Sequence, residues 1–327
     1  MSARVLTIIL NWRTPEMTLR AAEAALVAME GIAGGITIVD NDSGDGSFEM
    51  MAHEVALREW ERVRVLQSGR NGGYGAGNNF GIRAGLPGGQ PDFVYILNSD
   101  AFPAPGAIRA LLDYLRKMPD ADFAGSYIHG PAGDPHLTTF RFPSAAGEFE
   151  GAARIGPITR MLRRRVVPVP TPAHSRQVDW LAGASLMMRM EMLERIGLFD
   201  ETFFLYFEET DLCLRLARAG GQVHFVRESE VMHIGSVSTG MKEWVEVPGY
   251  WFDSRWYYFV KNHGRARALA ATVAHVAGGL LHRLRVLVAG GGQEASPKFL
   301  RTLVAHDLRA ALKPARPAAE PAPRPAG

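Results

Sequence analysis

The strongest constraint in this chain is the run Val5-Leu6-Thr7-Ile8-Ile9-Leu10, which is continuously apolar and β-branched and stops abruptly at the polar Asn11-Trp12-Arg13. Such a strand has no face to offer water, so it belongs inside a parallel sheet covered by helices on both sides. The rhythm then repeats. Pro15 and Glu16 open a helical pattern through Met29, and Ile36-Thr37-Ile38-Val39 reads as the next strand. A helix follows near Phe48 to Glu59, then the short strand Val63 to Leu66, and later the strand Phe93-Val94-Tyr95-Ile96-Leu97. Alternating strands and helices imply an α/β, doubly wound sheet, in which ligands gather at the carboxyl ends of the strands. Asp40, Asn71 and Asn98-Ser99-Asp100 follow the second, third and fourth strands, so three strand ends converge on one crevice.

Charge limits the partners. Lys+Arg 36 against Asp+Glu 34 leaves a surplus of only +2, no general basic field that would make nucleic acid the expected partner. Acidic ligands must then be met locally. Cys213 alone allows neither an internal disulfide nor a thiolate cage for zinc, which fits a reducing compartment. The first ten residues lack the charged start and cleavage site of a signal peptide, so a cytoplasmic location is expected. The apolar stretch Ala268 to Leu281 is shorter than the roughly 18 residues of a membrane span. Flanked by Arg265, Arg267, Arg283 and Arg285, it suits either a helix lying on an anionic membrane face or a core helix with basic ends.

The pattern weakens from about Gly130 to Val178, a Pro-, Gly- and Arg-rich stretch expected as an insertion or mobile loop. Order returns at Asp179-Trp180-Leu181-Ala182-Gly183, followed by a helix from Glu191 closed by Gly197. A second helix from Glu208 stops at Gly220-Gly221, and the strand Val223 to Val226 follows. From Lys313 the chain is Pro, Ala and Arg, too poor in large apolar residues to order itself.

Four clusters carry chemistry. The glycine-rich Asn71-Gly72-Gly73-Tyr74-Gly75-Ala76-Gly77-Asn78 fails the dinucleotide spacing, because Asn78 and Phe80 stand where the last glycine is needed. What is left is a turn before a helix, whose amides suit a phosphate or ribose or simply make a tight turn. Asp100, at a strand tip before Pro103, suits a divalent cation shared with a substrate's phosphates, or a turn cap. Glu208-Glu209-Thr210-Asp211 begins a helix, which the helix dipole alone explains, and Asp211 can pair with Arg215 four residues on. Yet the preceding Phe203-Phe204-Leu205-Tyr206-Phe207 is a dry wall, and a carboxyl beside one becomes a useful base. His233 is a lone histidine after an apolar stretch, structural unless Asp100 shares a metal with it.

Taken in order, Asn11, Val39-Asp40-Asn41, Asn71 through Gly81, Asn98-Ser99-Asp100, Trp180 through Ala184, Gly197-Leu198-Phe199-Asp200-Glu201, Phe204 through Leu212 and His233 resemble the family 2 glycosyltransferases. The rhamnosyltransferase-like branch is the nearest in pattern. The resemblance implies a GT-A fold, a Rossmann-like mixed sheet, mainly parallel and flanked by helices, with a C-terminal helical extension. It implies a catalytic domain over 1–240, with a nucleotide-sugar half to about 102 and an acceptor half from 103, an extension over 241–312 and a disordered tail over 313–327. It also implies inverting transfer from a nucleoside diphosphate sugar, rhamnose from dTDP-rhamnose being the first candidate, to a glycan or lipid-linked acceptor. Asp40 would then hold the base, with Asn11, Asn71, Gly72, Asn78 and Asn98 lining the nucleotide. Asp100 and His233 would hold Mg²⁺ or Mn²⁺, Glu209 or its neighbour Glu208 would be the catalytic base, and Trp180, Ala182, Gly183 and Asp211 would meet the acceptor. Two departures stand out: Glu209 occupies a place where the family commonly has Asp, and Asn98 replaces the first Asp of its usual Asp-x-Asp. The competing readings are a nucleotidyltransferase, which would carry a basic glycine-rich loop after the first strand, and a non-catalytic sugar- or nucleotide-binding module.

Overall fold

A computed structural model describes residues 3–235, 246–289 and 298–313. Strand β1 (Arg4–Asn11) occupies the sheet interior that its sequence demands, and Val5, Leu6, Ile8 and Ile9 are fully buried. Its side chains alternate between two cores, Val5 and Ile9 on one face and Leu6 and Ile8 on the other. The chain continues through α1 (Pro15–Ala28), β2 (Ala33–Asp40), α2 (Ser47–Leu57), β3 (Val63–Gln67), α3 (Tyr74–Ala84) and β4 (Phe93–Asn98). These strands lie in the order β3-β2-β1-β4, all parallel, which brings their carboxyl ends to one edge. There Asn11 is level with Asp40, and Leu10 with Asn98.

The second half adds β5 (Ala101–Pro103), α4 (Ala107–Lys117), β6 (Ala121–His129), β7 (Thr139–Phe140), α5 (Ala145–Ala153), α6 (Gly156–Met161), β8 (Pro168–Val169), β9 (Arg176–Val178), β10 (Trp180–Leu181), β11 (Ser185–Arg189), α7 (Met190–Ile196), α8 (Glu208–Arg218) and β12 (Gln222–His233). Strand β11 enters antiparallel between β4 and β6, while β12 runs parallel to β6 and carries β5 on its outer edge. The architecture is the expected α/β one. Helices α1 and α4 cover one face and α3 and α8 the other.

The stretch from Gly130 to Val178 is a correction, for it is folded. Strands β7, β8 and β10 form a small sheet, and β9 joins β12. Helix α5 packs along α10 (Arg265–Ala289), which follows α9 (Gly249–His263) and precedes α11 (Phe299–Leu312). The sequence hid this because the α5–α10 contact is made by small residues. A Cβ on Gly278 would sit 2.4 Å from the Phe149 carbonyl. Arg255 of α9 binds this region together from full burial, donating to Glu148 of α5 at 2.9 Å and to Asp307 of α11 at 3.1 Å. Among the described residues no helix is long and apolar enough to cross a membrane. The proposed tail beyond Lys313 lies outside the described residues.

Candidate active site

A cleft of about 480 Å³ opens where the strands β1, β2 and β4 end, a volume suited to a small organic ligand. Trp12, Asn41, Asn71 and Tyr74 line one side, and Ala182, Gly183, Glu208 and Glu209 another. Asn98, Asp100 and His233 lie between them, and Phe204, Tyr206 and Tyr250 make an aromatic margin.

Asp100 follows β4 directly, and β12 delivers His233 opposite Ala101, so two distant segments meet by strand pairing. The His233 Nε2 lies 3.0 Å from one Asp100 oxygen, and the Gly235 N–H donates to the other at 3.0 Å. Asn98 Nδ2 lies 3.4 Å from the same ring nitrogen, and its buried Oδ1 has no hydrogen-bond partner. No group of three His, Cys, Asp or Glu suited to a metal occurs among the described residues. One carboxylate, one imidazole and an unsatisfied amide oxygen fit a hard cation that keeps waters and takes further oxygens from a diphosphate. They do not make a protein-only cage.

Glu208 and Glu209 start α8 behind a strained turn, where Tyr206 and Phe207 both have φ of 69°, a left-handed conformation costly for bulky residues. The turn is pinned from two sides. Tyr74 N–H donates to the Phe204 carbonyl at 2.9 Å, and Ser254 of α9 donates to that of Leu205 at 3.0 Å. Only glycine fits at 73, because its φ is +88° and a Cβ would lie 1.9 Å from the Phe204 oxygen. One carboxylate oxygen of each glutamate is buried and lacks a partner. Burial first, and then the neighbouring Glu209 charge, push Glu208 well above the usual carboxylate range. Burial also raises Glu209, with the Gly183 amide pulling the other way. The helix N-terminus would favour both anions, but desolvation wins. Tyr74 donates its hydroxyl to the Gly183 carbonyl at 2.7 Å, so it fixes the residue whose own N–H, one peptide earlier, faces Glu209. Burial, then the charges of Glu209 and Glu208, keep that phenol protonated by pushing it far above its ordinary range.

Several residues expected to touch ligand stand elsewhere. Asn11 and Asp40 are fully buried behind the cleft wall, where Asp40 accepts from Asn11 at 2.8 Å and from the Ser43 hydroxyl at 2.6 Å. They brace the loop, and Asn41 faces the cleft in their place, donating to Asn71 at 3.0 Å. Asn78 is buried and donates to the Tyr74 carbonyl, while Gly72 sits one residue before the lining Gly73. Trp180 stacks on Phe140 at 4.2 Å and donates to the Arg141 carbonyl, so it belongs to the small sheet. Asp211 turns away, bound to Arg215, Lys261 and Asn262 with no exposed surface. That network ties α9 to the helix presenting the glutamates. Asn71, Asn98, Asp100, Ala182, Gly183, Glu208, Glu209 and His233 do meet in the cleft. Tyr74, Tyr206 and Tyr250 were missed as site residues; an aromatic next to a glycine, as at Gly73-Tyr74 and Gly249-Tyr250, was the available signal.

A parallel run of strands β3-β2-β1-β4, an Asp–His pair at the strand ends and two glutamates across the cleft define a GT-A transferase. The family model described as Glycosyltransferase like family 2 matches residues 3–253, and the chain belongs to that family. It is therefore a glycosyltransferase. It is 33% identical over 220 residues to the N-acetylglucosaminyl-diphospho-decaprenol L-rhamnosyltransferase of Mycobacterium tuberculosis, covering 63% of this chain and 68% of that protein. To the rhamnosyltransferase WbbL of Escherichia coli it is 25% identical over 164 residues, 49% of this chain and 60% of that protein. The fold also matches the mannosyltransferase PcManGT from Pyrobaculum calidifontis, solved with GDP-Man and Mn²⁺. There the TM-score is 0.54 at 14% identity, over 94% of this chain and 81% of that one.

Proposed function

We propose that this enzyme moves rhamnose from dTDP-rhamnose to a hydroxyl of a lipid-linked glycan acceptor in cell-surface polysaccharide synthesis, with inversion at the sugar carbon. The observation that carries the chemistry is the pair of unpartnered, buried carboxylate oxygens of Glu208 and Glu209 in the same cleft as Asp100 and His233. The sugar and the lipid are read from the relatives' names, rhamnosyltransferases with a decaprenol-linked acceptor in one case. The nucleotide-sugar half, about 1–102, would bind the donor with Asn41, Asn71 and Asn98, and the half from 103 to 240 would bind the acceptor along Ala182 and Gly183.

Asp100 and His233 would hold Mg²⁺ or Mn²⁺, which when bound offsets the negative charge growing on the leaving diphosphate. Glu209 takes the proton of the acceptor hydroxyl as that oxygen attacks the anomeric carbon from the side opposite the departing diphosphate. Burial raises its carboxyl above the usual carboxylate range, which makes the carboxylate a stronger base than an exposed one. The aromatic margin of Phe204, Tyr206 and Tyr250 excludes water and offers faces on which a sugar ring can lie. The enzyme would work at the cytoplasmic face of the membrane, where a lipid-linked acceptor is found, through its C-terminal extension of residues 241–312.

A panel of nucleotide sugars, each with and without Mn²⁺, tests this reading by thermal stabilisation and by transfer to a lipid-linked acceptor. The expected outcome is stabilisation and transfer with dTDP-rhamnose that need the metal, since a ligand of the native state raises apparent stability. No stabilisation by any donor would overturn it.

A further inference from the structure

The family match ends at residue 253, inside α9, so α10 lies outside it. One face of α10 is buried through Ala268, Ala271, Thr272 and Gly278 against α5 and α11. The opposite face is apolar yet uncovered among the described residues. Leu269, Val273, Leu280, Leu284 and Leu287 recur at three-, four- and seven-residue spacings, so they form one stripe. They are well exposed, Val273 at 68% and Leu287 at 83%. A soluble surface rarely keeps such a stripe without a use.

Charge identifies the partner. At about 100° per residue, Arg265 and Arg283 border the stripe on one side and Arg267 and Arg285 on the other. The helix holds no acidic residue. Beside it, Arg285 donates to the carbonyl of Arg154 at the end of α5, and the chain running on from there carries the exposed Arg160, Arg163, Arg164 and Arg165, again without an acid. These nine arginines exceed the +2 surplus of the whole chain, so the remainder is net acidic and the basic charge is concentrated here. A second copy of the same helix would bring arginines against arginines, whereas a bilayer with anionic headgroups accepts both the leucines and the charge.

We infer that α10, with the arginine-rich segment 154–165 beside it, is a docking surface for an anionic phospholipid bilayer, the leucine stripe entering the headgroup region and the arginines meeting phosphates. This deepens the proposed function by giving its membrane contact a lipid class and a surface, and it rests on that reading for its purpose but not for its geometry. Arg255 of α9 holds Glu148 and Asp307, which also bond His275 and Thr272 of α10, and α9 braces the turn that presents Glu208 and Glu209. Docking would therefore hold the cleft at a fixed orientation to the membrane.

The test is flotation of the full chain with vesicles of phosphatidylcholine alone and of phosphatidylcholine with phosphatidylglycerol, at low and high salt. The expected result is binding at least about tenfold stronger to the anionic vesicles, weakened by salt. The triple variant Leu280→Ser, Leu284→Ser, Leu287→Ser and the triple variant Arg163→Glu, Arg164→Glu, Arg165→Glu should each lose at least about tenfold in binding. Both alter exposed side chains, and donor hydrolysis without lipid should stay unchanged. Equal binding to both vesicle types, or no binding, would overturn the inference, as would a dimer in solution that dissociates in the leucine variant. Failed flotation with intact metal-dependent transfer would sink the docking surface alone. Lost donor turnover with intact flotation would sink the proposed function instead.

Discussion

Two buried clusters of charge sit on opposite sides of α9's contacts, and they are built on opposite rules. Around Arg255 every charge has its counterpart: the guanidinium meets Glu148 and Asp307, His275 bonds Glu148 at 2.7 Å, and His306 bonds Asp307 at 2.8 Å. Burial alone would raise the Glu148 carboxyl, but Arg255 and His275 outweigh it and hold it below its ordinary value. In the cleft, Glu208 is buried and its neighbour Glu209 half-buried, each with one buried oxygen lacking a partner, and both carboxyls rise. A protein can bury charge as glue or as reagent. What separates the two is whether the structure or an incoming ligand supplies the partner.

The comparison makes opposite forecasts for substitution. The largest effect should be on stability, at the compensated cluster. Arg255→Met leaves two buried carboxylates without their cation and should cost about 3–5 kcal/mol, read as a lower denaturation midpoint, while the molecules still folded keep their turnover. Loss of turnover without loss of stability would place Arg255 in the chemistry. Next comes the cleft. Asp100→Ala should slow transfer by about 10²–10³-fold, the size of losing one electrostatic stabiliser of the leaving group, and abolish stabilisation by Mn²⁺ with donor.

Glu208→Gln should go the other way in stability. Replacing an uncompensated buried acid should raise stability by about 1–3 kcal/mol at neutral pH. The sign depends on pH. A carboxyl raised on folding keeps its proton where the unfolded chain has lost it, so the wild type loses stability as pH rises from about 4.3 toward the raised value. The gap between variant and wild type should therefore widen over that window and vanish below it. Glu148 contributes with the opposite sign, fully above about 4.3 and lost as pH falls through its lowered value. The smallest effect belongs to Tyr74→Phe. It removes the donor to the Gly183 carbonyl while keeping the ring against Phe199, 6.2 Å away. Transfer should fall a few-fold, by about 1 kcal/mol, and the acid limb of the rate profile should move to higher pH.

The parallel half was legible because a strand with no polar face has one place to go, and β1 went there. The place of Asp100 and the Glu208-Glu209 pair in the cleft was legible because polar residues ended apolar runs. Asp40 missed by one position for a reason that lies in the pleat: successive side chains point to opposite sides, so Asp40 turned into the loop and Asn41 into the cleft. The pairing of Asp211 with Arg215 was legible from their four-residue spacing, but its other partners Lys261 and Asn262 lie 50 and 51 residues away and left no local signal. The stretch over 130–178 was hidden because small residues pack helices closely without a hydrophobic pattern to announce it.

The central claim is that a carboxylate with a buried, unpartnered oxygen in this cleft takes the acceptor's proton. Single-turnover transfer by Glu209→Gln, measured beside calorimetric donor binding on the same sample, tests it most directly. The account expects donor affinity with Mn²⁺ to be retained and transfer to fall by about 10²–10⁴-fold, the span of a lost general base. Near-normal turnover by that variant would contradict it.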